Sequence, residues 1–432
     1  MEEKRFHSVR LEGEKCRGCT NCLKRCPTEA IRVRGGRAHI IDERCIDCGE
    51  CIRVCSYHAK VAVTDPLSAI SQFKYKIALP APSLYGQFSN LKSISQVLGG
   101  LKRMGFDEVY EVARGADVVS KAIRERLKDP KLPRPVISSA CPAIVRLIQV
   151  RFPDLIEHIV DVRQPMEVAA MIARQEFARK HGVDDPEEIG CFFITPCPAK
   201  VTAIRNPIGH KKSAVNGAIS VLEIYGLLSS QLKNTPVDLT LEEASDLGVG
   251  WAKSGGESIA VNPDESLAVD GIENCIRVLE EIEDNRLRNL EFFEGAACTG
   301  GCVGGPLNFE NNYVARSEIR KLATRQDEAD LHVDSGMMTK YDLYMSNRIL
   351  PNSAMKLDDD LMEAMRKMEK IEKLYSELPG FDCGSCGSPT CRTFAEDVIQ
   401  GAATKLDCIH LMKDQLRVMA EQMVNLAKTT RE

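Results

Sequence analysis

The sequence predicts an α/β protein whose long central region is flanked by a cysteine-rich module on each side. Two observations support this. Between residues 75 and 350, short apolar runs alternate with amphipathic stretches of helical period, the rhythm of repeated strand–helix units. The 18 cysteines of the 432-residue chain fall into ordered groups at both ends and at a few points between. A chain this long, 44% hydrophobic, suffices for several domains with a sizeable core. Boundaries are expected to give segments 1–66, 67–350 and 351–432.

Charge and hydropathy exclude some classes of function. The formal charge of -5 points to neither nucleic acid nor a membrane surface. The opening MEEKRFHSVR lacks the apolar core of a signal peptide. The longest apolar run, GAISVLEIYGLL, is broken by Glu223 and is expected as a buried helix rather than a membrane span. A cytoplasmic location is the expectation, and in a reducing compartment so many cysteines argue for metal ligation rather than disulfides.

Near the N-terminus, CRGCTNCLKRCP (16–27) is followed by CIDCGECIRVC (45–55). This is the C-x2-C-x2-C-x3-C spacing of bacterial ferredoxins, twice over. In that pattern three cysteines of one run share a cluster with the last cysteine of the other. One [4Fe-4S] cluster is therefore expected on Cys16, Cys19, Cys22 and Cys55, and a second on Cys45, Cys48, Cys51 and Cys26. A zinc module would instead show two CxxC pairs. Pro27 follows the first run, whereas Ser56 stands where the second would carry proline, a change expected to alter a turn and not the cluster.

In the central region KIALPAP, PVISSACP and CFFITPCP look like strands; SAISQFKY, NLKSISQVLGGLKRMG and VSKAIRERLKD look like helices. Cys141 and Cys197 each close a strand-like run just before a proline. Ligands in α/β sheets gather at the carboxyl ends of strands. A third locus, EGAACTGGCVGGP, holds Cys298 and Cys302, which share a face if the segment is helical, among glycines that allow close approach. These four thiols are able to converge. Cys191 and Cys275 lack such context and are expected as small core residues.

At the other end, PGFDCGSCGSPTC supplies Cys383, Cys386 and Cys391, with Cys408 further on. The set suits a third [4Fe-4S] cluster, three ligands coming from a loop and one from the helix after it. A single four-cysteine set also fits tetrahedral zinc. LMEAMRKMEKIEKLYSEL before it and HLMKDQLRVMAEQMVNLAK after it are expected helices. The second bears an apolar stripe, Leu411, Met412, Leu416, Met419 and Met423. Such a stripe ordinarily packs on its own core; a homodimer or partner surface is the alternative, favoured here by the terminal position and the methionines.

The three central loci resemble, in order and separation, the signature segments of the [FeFe]-hydrogenase catalytic domain, approximately TSCCPxW, MPCxxKxxE and ExMACxxGCxxGGGQP. The resemblance runs from about residue 75 to 345, with the diferredoxin in front. It implies a two-lobed α/β catalytic domain with the active cluster between the lobes and the three accessory [4Fe-4S] clusters as an electron relay. It also implies an H-cluster: Cys141, Cys197, Cys298 and Cys302 would hold a [4Fe-4S] cubane. Cys302 would bridge to a [2Fe] unit carrying CO, cyanide and a dithiolate amine. Lys200 of PCPAK would donate a charge-assisted hydrogen bond to a cyanide. The implied substrates are H2 and protons.

The departures from that pattern matter as much. Where the family passes protons through the first cysteine of TSCCP, this chain has Ala140, whose methyl group neither donates nor accepts. The paired glutamates expected after Gly115-Ala116-Asp117 are missing, Gln164 replaces a serine, Thr195 and Ala296 replace two methionines, and Ala203 replaces a glutamate. Losing a relay group typically costs about 10²–10⁴-fold in rate. The chain therefore resembles the sensory [FeFe]-hydrogenases that carry the same alanine, and, with a four-cysteine module in place of a PAS domain, their group D. That implies a slow site reporting H2 or redox state to a redox or signalling partner. Thr195 and Ser139 stand as candidates for another proton route. The alternatives are a Narf-like iron–sulfur assembly protein without the diiron unit, the catalytic subunit of an electron-bifurcating complex, and a polyferredoxin. Lys200 and the CTGGCVGG glycines weigh against the first, Ala140 against the second, and the strand-end cysteines against the third.

Overall fold

The computed structural model describes residues 6–323, 330–334 and 336–429. They form two compact units. The first comprises the N-terminal residues through Val9, Ile46–Gly49 and Ala62–Pro351; the second comprises Arg10–Cys45, Glu50–Val61 and Asn352–Glu432.

The first unit is built on a four-stranded parallel sheet. Its strand order is Glu108–Val109, Tyr75–Pro80, Ile189–Thr195 and Gly217–Ser220. Ile189–Thr195 is buried throughout, as befits a strand covered on both faces. Alternation sends Ile77, Leu79 and Phe193 to one face, against Val118, Met166 and Val168 of the helices Val112–Leu127 and Pro165–His181. Ala78, Phe192 and Ile194 face the other way, onto Val97, Leu98, Ile224 and Leu228 of Ser95–Arg103 and Val221–Leu232. A second parallel sheet orders Ser266–Asp270, Phe292–Ala296 and Val136–Ile137. Among the described residues, no helix is long and apolar enough to cross a membrane.

Two local expectations are corrected. The SAISQFKY stretch is not a helix: a 3-10 segment spans Leu67–Gln72, and Tyr75 already pairs with Ile189 in the sheet. GAISVLEIYGLL is not one buried helix. Gly217–Ser220 pairs with Phe192–Thr195, and the Ser220 hydroxyl then accepts from the Glu223 N–H (3.1 Å) to start a helix. That helix buries Val221, Ile224 and Leu228 but exposes Leu222 and Leu227.

Residues 46–49 belong to the first unit through buried polar bonds. Asp47 accepts from the Val9 N–H (2.9 Å) and lies 2.9 Å from His7 Nδ1, while the Ser8 N–H donates to Thr202 Oγ1 (3.0 Å). Elsewhere Glu111, just before the helix Val112–Leu127, accepts from the N–H groups of Glu243 (2.8 Å) and Ala244 (3.1 Å) and from the Tyr85 hydroxyl (3.1 Å). Burial pushes this carboxyl up to about 7 despite those donors.

In the second unit the two cysteine-rich segments are stitched together. Ile31–Arg34 and Arg37–Ile40 form an antiparallel hairpin whose Val33 N–H donates to the Gly387 carbonyl (2.9 Å). Gly387 has φ +79°, and a Cβ there would lie 1.8 Å from the Val33 oxygen, so the approach requires glycine. Asp397 Oδ2 gathers Arg32 Nε (2.7 Å), Arg34 (3.0 Å) and the Ser388 hydroxyl (2.6 Å), and Arg34 also donates to the Cys386 carbonyl (2.7 Å). The helices Leu361–Glu377 and Cys391–Ile399 enclose a small core of Ile371, Leu374 and Phe394.

Asp397→Ala strands two arginines, one of them buried, and is expected to destabilise the second unit by about 3–5 kcal/mol, seen as an early transition in thermal unfolding and faster proteolysis near residue 380. Glu111 binds its proton more tightly folded than unfolded. Its stabilising contribution is full below the ordinary glutamate value and lost as pH rises towards 7. Glu111→Gln should therefore match wild type near pH 4 and exceed it at pH 8; equal melting temperatures at pH 8 would refute this.

Candidate metal centre

Three cysteines of the first unit are delivered by the carboxyl ends of strands, and a fourth, Cys302, by the turn after the third. Cys141 follows Val136–Ile137, Cys197 follows Ile189–Thr195, and Cys298 follows Phe292–Ala296. Cys141 and Cys197 each cap a helix whose first residue is proline, Pro142–Arg151 and Pro198–Arg205. The Cys–Pro pairs thus end a strand and start a helix at once, since proline's missing N–H is harmless in the first turn. Each sulfur sits at a helix N-terminus, where partial positive charge favours an anion.

The Cys298–Cys302 segment is not helical. It is a turn with Gly300 and Gly301 at φ +86° and +88°, leading into a 3-10 segment Cys302–Gly304. A Cβ on Gly301 would lie 2.4 Å from the Ser254 nitrogen, so a side chain there would push the Cys302 loop out of place. The pair is brought round by glycine conformations, not by a helix face.

All four cysteines line one open cavity. Its other walls include Cys48, Ala140, Met166, Lys200, Lys253, Glu257 and Glu294. Burial pushes the Cys302 thiol up to about 12, against the pull of the Lys200 ammonium. Cys197 is raised too, by burial and then by Cys298 and Cys141. Thiols that oppose one another's ionisation in an apolar cavity are badly served as free thiolates. They fit a polynuclear cationic core that takes up their charge. Lys200 is 9% exposed and donates to the Ala140 carbonyl (3.2 Å), so an ammonium stands beside the sulfurs.

Ser139 and Thr195 are not among the cavity residues. The Ser139 hydroxyl donates to the Val162 carbonyl (2.7 Å), and Thr195 Oγ1 donates to the Cys197 carbonyl and accepts its N–H, both at 3.1 Å. Two carboxyls that the sequence reading passed over do line it. Glu257 accepts from Ser138 Oγ (2.8 and 2.7 Å), and Ser138 Oγ accepts the Ala140 N–H (3.1 Å). Glu294 accepts from the N–H groups of Gly255 and Ser258, both at 2.8 Å. Burial and the Glu294 charge raise Glu257 above the carboxylate range. Burial raises Glu294 as well, but its two backbone donors oppose this, so Glu257 is the member of the pair that holds a proton more readily. Cys275 lies close by: its thiol donates to the carbonyls of Val269 and Ala296 (3.4 and 3.5 Å). Cys191 is a core residue of the sheet.

In the second unit Cys16, Cys19, Cys22 and Cys55 line one small cavity, and Cys383, Cys386, Cys391 and Cys408 line another together with His410. Cys26 falls in the same unit as Cys45 and Cys51, and Cys48 in the first. Backbone N–H groups point at sulfur: Ala30 at Cys26 (3.2 Å), Ala59 at Cys55 (3.2 Å) and Ala38 at Cys16 (3.4 Å). The i, i+4 repeat at Cys26 and Cys55 mirrors the duplicated motif. Sulfur accepting N–H bonds suits metal-bound thiolate.

The comparisons with known proteins agree with this chemistry. The chain belongs to the family described as iron only hydrogenase large subunit, C-terminal domain, whose model matches residues 74–268 and 260–306. A 4Fe-4S dicluster domain model matches 8–56, and an Fe-S cluster model matches 378–410. The periplasmic [Fe] hydrogenase large subunit of Nitratidesulfovibrio vulgaris is 28% identical over 45% of this chain and 51% of its own length. Iron hydrogenase 1 of Clostridium pasteurianum is 21% identical over 74% of this chain and 68% of its own. The chain thus spans about half of the first relative and two thirds of the second. A variant of the [FeFe]-hydrogenase from Chlamydomonas reinhardtii superposes with a TM-score of 0.49 at 16% identity, covering 66% of this chain and 95% of that one.

Proposed function

We propose that this chain is a slow [FeFe]-hydrogenase that interconverts H2 with protons and electrons and serves as an H2 or redox sensor of the group D type. The observation that carries the proposal is the single cavity in which Cys141, Cys197, Cys298, Cys302 and Lys200 stand together while the neighbouring position 140 holds a methyl group. In this reading Cys141, Cys197, Cys298 and Cys302 would hold the cubane together with its attached diiron unit. When bound, that unit supplies an open iron site for H2 and a dithiolate amine as base.

The chain's own residues do the rest. Lys200, held by the Ala140 carbonyl, offers N–H donors to an anionic ligand and adds positive charge beside Cys302. Ala140 blocks the short thiol route for protons, and neutral Glu257, tethered through Ser138, is the group able to deliver one. Glu294, held by two backbone donors, favours the charged form more than Glu257 does and so helps keep its neighbour protonated. The twelve remaining motif cysteines hold three accessory [4Fe-4S] clusters, and electrons leave to a redox or signalling partner.

Infrared spectroscopy of the anaerobic protein loaded with the synthetic diiron cofactor tests this. Sharp CO and cyanide bands that shift under H2 are expected. Bands of free complex that wash away on desalting would end the hydrogenase reading and favour an iron–sulfur scaffold. In the loaded protein, Glu257→Gln should lower H2 turnover about 100-fold while leaving iron content and resting bands unchanged; undiminished turnover would remove Glu257 from the proton route.

A further inference from the structure

The last helix, Ile409–Thr429, carries a seam the rest of its unit does not use. Ile409, Met412, Leu416, Met419, Met423 and Leu426 follow one another at steps of three and four. That is a strict seven-residue repeat, the pattern of a coiled-coil seam rather than of a helix lying on a globular core. Every one of the six is exposed, between 42% and 72%. Among the described residues of the helix, Leu411 alone joins the core of Ile371, Leu374 and Phe394. The ordinary expectation, that the stripe packs on the chain's own core, is therefore not met. Most helical stability in proteins comes from packing an apolar face, so an exposed seam of this kind calls for a cover.

The sequence beside the seam says what fits. The flanking positions are Lys413, Gln415, Ala420 and Gln422, with a single charge among them. Two identical helices meet there without like charges opposed, whereas coiled coils that select a different partner carry complementary charges at those positions. The remaining charges lie on the outer face, where Arg417 pairs with Asp414 (3.2 Å). The same unit also exposes Leu361, Met362, Met365 and Met368 on the helix Leu361–Glu377. A two-stranded coil of the terminal helices covers the six seam side chains of each copy. We propose that the terminal helices of two copies of this chain pair along the seam as a two-stranded coiled coil, making the protein a homodimer. Ile409 directly follows Cys408, so the seam begins at the C-terminal metal site.

Sedimentation velocity of the full chain, reconstituted with iron and sulfide without oxygen, tests the proposal independently of any hydrogen chemistry. A dimer is expected, with Leu416→Glu combined with Met419→Glu raising its dissociation constant at least about 100-fold and Glu421→Lys on the outer face leaving it unchanged. A wild type that is monomeric at every concentration overturns the proposal, as does a dimer that the seam variant leaves intact. Should the seam variant lose its iron–sulfur absorbance, a photo-crosslinking residue in place of Met423 decides. Covalent dimers from that position and none from position 421 support the seam; no dimer from position 423 overturns it.

Discussion

Four thiols have to share one cavity, and in the proposed reading each has to be offered there as an anion; much of the first unit's arrangement follows from that demand. Burying a thiol raises its pKa, and burying several together raises them further, as at Cys197. Several features relieve the difficulty. Parallel strands end at one cavity, so sulfurs from distant segments converge. Cys–Pro pairs place two of them on helix N-termini. Glycines 300 and 301 turn the chain sharply enough to return Cys302 to the same space. A lysine ammonium stands beside the result.

The pieces of this arrangement that depend on local chemistry were legible in the sequence. Cysteine spacing, a proline after a strand and glycine-rich turns are all short-range signals, and the four central cysteines marked by them do reach one cavity. The strands Tyr75–Pro80 and Ile189–Thr195 were visible because a doubly covered strand is apolar at nearly every residue. What escaped was tertiary. Glu257 meets Ser138 across 119 residues, and nothing near either one announces the other. Ser139 and Thr195 looked available for proton transfer because a sequence does not show that a hydroxyl is already bonded to the backbone. The Cys298–Cys302 spacing suggested a helix face, but two residues at positive φ impose a turn.

Position 140 shows how a site is altered without being dismantled. Its backbone is still in use, the carbonyl holding Lys200 and the N–H bonding to Ser138. The side chain can therefore change while the geometry around it stays put. Two carboxyls line the same cavity, and unequal backbone donors make Glu294 the more readily charged and Glu257 the more readily protonated.

The joint between Arg32, Arg34 and Asp397 has a consequence for how the protein is made. Its partners are 365 and 363 residues apart, so a ribosome delivers the hairpin long before the segment that completes it. The first unit's sheets, whose strands lie between residues 75 and 296, are available to fold in the interval. The second unit closes only once Asp397 is made; until then Arg32 and Arg34 keep their local carbonyl acceptors but lack the carboxylate that joins the two segments.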